Sequence, residues 1–239
     1  LKIEGWPFEQ ENVISLKGQW KFKWLDDNPL YAQPDFDDTS WKTIEVPSYW
    51  NKQTGKGNGY GWYRLKILFD ANNYRAKIHQ MGIYLQYAHS SYALYVNGIK
   101  VMSNGTAENT PAQTISQNLP KASPIPQIDP SKPLVIAIKI SHFHHARGGL
   151  IYPPFLSTFT GVQKILTSKN LQDWIVLGIL LMMGLYHFVL WLARQEDKSS
   201  FYFALFCLLV FVRLCSTNRL AETIFPQSDI FQLRFKAEY

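Results

Sequence analysis

Ala93-Leu94-Tyr95-Val96-Asn97-Gly98-Ile99-Lys100-Val101-Met102 is the stretch that decides the fold. Two short runs of aromatic and β-branched side chains flank Asn97-Gly98. A two-residue type I′ turn needs positive φ at both central positions, which Asn and Gly tolerate and β-branched residues resist. The stretch therefore predicts a β-hairpin. Similar runs recur outward from it between turn signals, as at Trp20–Trp24, Tyr63–Phe69 and Gly82–Tyr87. Leu134-Val135-Ile136-Ala137-Ile138-Lys139-Ile140 adds a run with visible alternation. This spacing is that of a β-sandwich or barrel. No long helical period interrupts residues 1–165, which argues against parallel βαβ units.

The chain of 239 residues is 46% hydrophobic and 15% aromatic, too rich in core-forming side chains for disorder. Its apolar residues are unevenly spread. Between Trp174 and Ala193 no residue is charged, and His187 is the one strongly polar side chain. Such a helix, at about 1.5 Å per residue, reaches the roughly 30 Å of a bilayer's hydrocarbon core. Arg194-Gln195-Glu196-Asp197-Lys198 then forms a charged turn, and a second apolar run continues from Phe201 through Arg213. The expected organisation is a β-rich unit at 1–165 and the start of a transmembrane helical domain at 166–239. Its spans are placed at about 174–193 and 201–220, with a third helix opening near 229.

Up to Asp173 the chain carries 18 Lys and Arg against 13 Asp and Glu, without a basic cluster interleaved with aromatics. Nucleic acid is not an expected partner. Cys207 and Cys215 are the two cysteines. On a helix they stand about 12 Å apart, too far to bond. Residues 103–133 hold six prolines and no aromatic side chain, so this long polar loop offers no stacking surface for a sugar. Neither end shows a start signal or a closing turn, and the chain is expected to be a piece of a longer protein.

Several stretches carry a resemblance. They are Leu16-Lys17-Gly18-Gln19-Trp20-Lys21-Phe22, the run from Phe36 to Trp50, Gly59-Tyr60-Gly61-Trp62-Tyr63-Arg64 and Tyr95-Val96-Asn97-Gly98. In this order they resemble the N-terminal sugar-binding domain of family 2 glycoside hydrolases. That resemblance implies a mainly β fold, a galactose-binding-like jelly-roll sandwich. Followed by Trp174–Ala193, a charged turn and an aromatic second span, the arrangement is similar to the bacterial 7TMR-DISM receptors. Those are seven-transmembrane receptors with diverse intracellular signalling modules. The resemblance implies the first helices of a transmembrane bundle in the bacterial inner membrane, multi-pass, with residues 1–165 periplasmic and Arg194–Lys198 cytoplasmic. It implies a ligand-sensing role for a carbohydrate or related small molecule, relayed to an output module beyond Tyr239. The rival readings are a membrane-tethered carbohydrate-binding or adhesion module, and the sugar-binding domain of a hydrolase.

No catalytic residues are expected in this stretch of chain. A glycosidase needs two carboxylates across one bond, and Asp26-Asp27 and Asp37-Asp38 are adjacent pairs in polar turns. The candidate ligand contacts are Trp50, Tyr60 and Trp62, with His142, His144 and Arg147 on a second rim segment. For each aromatic the competing role is core packing. His142-Phe143-His144-His145 is metal-like in type, but no nearby Cys or carboxylate completes a set. No metal or other cofactor is implied. His187 and Arg213 are the intramembrane polar residues, read as helix-pairing, functional or snorkelling groups. The expected partners are a small-molecule or carbohydrate ligand and the lipid bilayer, with a second copy of the chain left open.

Overall fold

Every residue of the strand Leu134–His142 is buried, and the β-structure is laid out around it. The computed structural model describes residues 2–3, 13–69, 80–86, 88, 90–129, 131–143 and 148–217. The strands, in chain order, are β1 (Lys2–Ile3), β2 (Ile14–Ser15), β3 (Gly18–Trp24), β4 (Lys42–Val46) and β5 (Gly59–Phe69). They continue as β6 (Met81–Leu85), β7 (Ser91–Val96), β8 (Ile99–Asn104), β9 (Lys121–Pro124), β10 (Leu134–His142) and β11 (Phe155–Thr158). One short helix, α1 (Asn51–Thr54), a 3₁₀ turn at Pro29–Ala32 and two long helices, α2 (Phe159–Ala193) and α3 (Lys198–Thr217), complete the described elements. The expected third helix from 229 lies outside the described residues.

One sheet runs β4-β3-β5-β10-β7-β8, with the short β1 beside β5, and the other runs β2-β11-β6-β9. Apart from the β1–β5 pair, all strand pairs are antiparallel. The result is the mainly β, jelly-roll sandwich that the run spacing and the resemblance imply. At the deciding hairpin, Asn97 and Gly98 take φ of 48° and 84°. Asn97 also reaches sideways: its Oδ1 accepts from Val135 N–H at 2.8 Å, and its own N–H donates to the Val135 carbonyl at 2.9 Å. The turn is thus tied to the start of β10.

Strand period sorts the side chains onto two faces. Tyr63, Leu65 and Ile67 of β5, Leu94 of β7, and Ile136, Ile138 and Ile140 of β10 point inward. There they meet Ile83, Leu85 and Leu156 of the second sheet. Each such side chain contributes about 1.5–3 kcal/mol by leaving water. The alternate residues, Trp62, Arg64, Ala137, Lys139 and Tyr95, share the outer face. A sheet whose outer face carries aromatics and a buried arginine needs a cover. Residues 25–41 supply one: Tyr31, Ala32 and Trp41 pack with Trp62 and Ala137.

Arg64 fixes that cover. Its side chain is fully buried and its Nε donates to Asp38 Oδ2 at 2.9 Å. The remaining guanidinium donors reach the carbonyls of Tyr31, Gln33 and Phe36. An uncompensated buried cation is costly, so this irregular segment is held by what the arginine requires.

The chain divides into two compact units, residues 1–166 and 167–239. In the second, α2 and α3 are long and apolar enough to cross a membrane. They form an antiparallel pair in contact at Gly184, where an added Cβ would lie 3.4 Å from Cys207 Cβ. His187 of α2 packs its ring 4.4 Å from that of Phe203 of α3. Arg213 stands at an exposed position late in α3. Met182 and Leu209 are 67% and 61% exposed, an apolar exterior that suits lipid or further helices rather than water.

Replacing Asn97-Gly98 by Val-Val is expected to destabilise the β-unit. Positive φ at a β-branched residue costs on the order of 1–2 kcal/mol each. A Cβ at Gly98 would also lie 2.6 Å from Gln33 Oε1. Urea unfolding should show a lower midpoint at an unchanged slope; an unmoved midpoint would contradict the turn's role.

Candidate functional site

Lys139 sits in the middle of β10 on the outer face, where its strand neighbours are Trp62 of β5 and Ala93 of β7. Its side chain is 9% exposed, and a buried ammonium must find a counter-charge. It finds Asp27 at 2.8 Å. The same carboxylate accepts from Trp62 Nε1 at 3.0 Å and from Asn109 Nδ2 at 2.8 Å. One side chain from the 25–41 segment thereby joins two strands and the loop that follows β8. Burial pushes the Asp27 carboxyl up, but hydrogen bonds from Lys139, Asn109 and Trp62 outweigh it and hold its pKa below the usual carboxylate value.

Beside this clamp opens a concavity of about 590 Å³. The volume lies in the range of small-molecule sites, roughly 300–1,000 Å³. Trp62, Tyr95, Ala93 and Lys139 contribute from the sheet, and Pro29, Ala32 and Gln33 from the 25–41 segment. Lys100 and Ser103 of β8 and Gly105 to Glu108 close the remaining side. Trp62 and Tyr95 rings lie 5.6 Å apart, tilted by 32°. Burial, then the charges of Asp27 and Glu108, push the Tyr95 phenol up. Tyr31, behind the wall, is pushed up to about 12 by burial and by its hydrogen bond to Asp26. The site can stack an apolar ring face and exchange hydrogen bonds around its edge.

Two of the sequence-selected residues lie beside Lys139. Trp62 lines the concavity, and Tyr60, two residues earlier on the same face, holds its ring 5.9 Å from Lys139 Nζ. Two others meet elsewhere: Trp50 and His142 are both buried, with ring centroids 6.1 Å apart. Trp50 Nε1 donates to the Gly57 carbonyl at 2.7 Å, and a Cβ at Gly148 would lie 2.5 Å from its Cζ2. Those two side chains are parts of the packed interior. His144 and Arg147 lie outside the described residues. Among the described residues no group of three His, Cys, Asp or Glu is arranged to hold a metal.

Sequence reading missed Asp27, Lys139, Tyr95 and the wall at 105–108. Lys139 did carry a signal. It is the single charge in the otherwise apolar run 134–140, and such a charge implies a buried partner. The loop 103–133, set aside for want of aromatics, contributes through backbone and short polar side chains instead.

Residues 169–238 match the family model described as 7TM diverse intracellular signalling, 7TMR-DISM. The resemblance read from the two apolar runs is met by this match over that part of the chain. No curated protein sequence matches the chain. Solved structures similar to it include a calcium-binding mutant of Bacteroides uniformis β-glucuronidase 2. The two are 20% identical with a TM-score of 0.48, over 61% of this chain and 18% of that one. A β-glycosidase from Bacteroides vulgatus is 15% identical, TM-score 0.47, over 61% and 20%. Ruminococcus gnavus β-glucuronidase is 14% identical, TM-score 0.44, over 61% and 28%. The chain thus spans less than a third of the length of each of these enzymes. The activities in their names belong to them.

Asp27 and Asp38 give the β-unit an acid-sensitive limb. Burial pushes the Asp38 carboxyl up, but hydrogen bonds from Arg64 and Lys66 prevail and lower its pKa. A carboxylate with a depressed folded pKa adds stability above its unfolded value, about 3.9, and loses it as pH falls through the folded value. Stability should therefore hold from neutral pH to about 4 and decline below it. Asp38→Ala should cost on the order of 3 kcal/mol at pH 7, because it orphans a buried arginine. It should also flatten the acid limb, as read by thermal melts across pH; an acid limb as steep as the wild type's would refute the assignment.

Proposed function

We propose that this chain is the ligand-sensing region of a transmembrane signalling receptor, with the β-sandwich binding a carbohydrate or related small molecule outside the cytoplasm. The observation that carries the reading is the concavity over Trp62 and Tyr95, on a chain whose helices match a signalling family. A receptor needs a rigid recognition surface and a ligand that prefers one arrangement of the protein over another. Strands β5, β7 and β10 hold the aromatic faces, and the Asp27 clamp holds the walls. Of the residues selected from sequence, Trp62 is assigned to the floor of the concavity and Trp50 and His142 to the interior, with Tyr60 beside Lys139.

A binding role also fits the carboxylates. Asp26 receives Tyr31 Oη–H, Asp27 receives three donors, Asp37 receives the Thr39 N–H, and Asp38 is paired with Arg64 and Lys66. The adjacent pairs are thus committed to holding segment 25–41 rather than to acid–base work on a glycosidic bond.

The reading places residues 1–165 in the periplasm, the Arg194–Lys198 turn in the cytoplasm, and the chain in the bacterial inner membrane as a multi-pass protein. Two measurements test it. Ser131→Cys should be labelled by an impermeant thiol reagent in cells with a permeabilised outer membrane, and Ser199→Cys only after lysis, both in a background lacking Cys207 and Cys215. Labelling of Ser199→Cys before lysis would reverse the topology. Isothermal titration of the chain in nanodiscs against a glycan panel should find at least one saturable binder. Silence across the panel would remove the carbohydrate reading.

A further inference from the structure

The concavity's charges do not favour an ion of either sign. Asp27 and Glu108 line it, and so do Lys100 and Lys139. Lys139 is already neutralised at 2.8 Å by Asp27, whose oxygens accept from Trp62 and Asn109 as well. A ligand carboxylate that paired with Lys139 would have to displace Asp27, and one that paired with Lys100 would face Glu108. A ligand ammonium that paired with Glu108 would face the two lysines, and Asp27 already accepts from three donors. What remains for a ligand is the Tyr95 ring and its hydroxyl, the exposed Lys100 ammonium and the Glu108 carboxylate. That set offers donors and an acceptor beside an aromatic face.

We infer that the site takes an uncharged, hydroxyl-rich ring, a neutral saccharide unit, and discriminates against its carboxylated and aminated counterparts. The inference rests on the ligand-sensing reading and sharpens it. Sugar C–H groups stack on Tyr95, supported from behind by Trp62. Vicinal hydroxyls use Glu108 as acceptor and Lys100 and the Tyr95 hydroxyl as donors. Such a ligand leaves the Asp27–Lys139 pair intact, so the walls that the pair holds need not move.

The test compares matched sugars on the chain in nanodiscs by isothermal titration. The probes are the methyl β-glycosides of glucose, galactose and N-acetylglucosamine, the first two each with the corresponding 6-uronate, and methyl β-glucosaminide. At least one neutral glycoside is expected to bind about tenfold tighter than its charged counterpart. Tyr95→Ala should weaken it about fivefold or more, the usual cost of losing an anchor. Lys100→Met, at an exposed position that does not bear on folding, should weaken it in the same direction. Tighter binding of a uronate or an amino sugar than of every neutral partner would overturn the inference and leave the sensing role standing. Neutral binding unaffected by both substitutions would overturn the site. Binding of no member of any pair would overturn the inference together with the carbohydrate reading.

Discussion

A lysine in the middle of a strand buried on both faces is the constraint from which much of this molecule follows. The inward side chains of β10 from Leu134 to Ile140 are leucine and isoleucine and fill the sandwich interior. Its outward positions include Ala137 and Lys139, and the lysine cannot stay there without a counter-charge. Asp27 provides it, and Asp27 comes from a segment that has no strand pairing of its own. The ion pair therefore does more than neutralise a charge. It fixes where the 25–41 segment crosses the sheet, and with Asn109 it fixes where the loop after β8 returns.

Arg64 repeats the same logic one register step away. Arg64 and Lys139 are both buried cations on the outer face of adjacent strands, and each is met by a carboxylate from the covering segment. Between them lie the aromatic contacts that make the cover dry: Tyr31 stands edge-on to Trp41 at 4.8 Å and to Trp62 at 5.9 Å. Edge-to-face pairs of this kind add about 0.5–1.5 kcal/mol each beyond burial. The sheet thus has two apolar faces of unequal size, a main core inside and a smaller one outside. The concavity is the part of the outer face that the cover leaves open.

Much of the fold was legible in the sequence because its signals are local. Asn97-Gly98 specifies positive φ by residue type alone, and the alternation in 134–140 specifies which side chains point inward. The helices were legible for the same reason, since an uncharged run of span length needs no partner to be recognised. The site was less legible because its bonds are long-range. Asp27 and Lys139 are 112 positions apart, and nothing in either neighbourhood names the other. Trp50 and Trp62 look alike in sequence, each close to glycines, yet one ring is enclosed by Trp24, His142 and Gly148 while the other packs on the outer face under the 25–41 cover. Trp62 takes its side from the strand period of β5, whereas Trp50 precedes a one-turn helix and has no such period to read.

The Arg64 guanidinium has a consequence for the way the concavity meets a ligand. It holds the carbonyls of Tyr31, Gln33 and Phe36, which would otherwise be hydrated on a segment with no sheet partner. A lysine could serve one of these acceptors but not the set, since its ammonium lacks the planar fork. Pro29, Ala32 and Gln33 are therefore in place before anything arrives, and the wall behaves as masonry rather than as a flap. A ligand meeting that wall would not have to order it, so little conformational entropy would be lost on that side and complementarity of shape could decide the outcome.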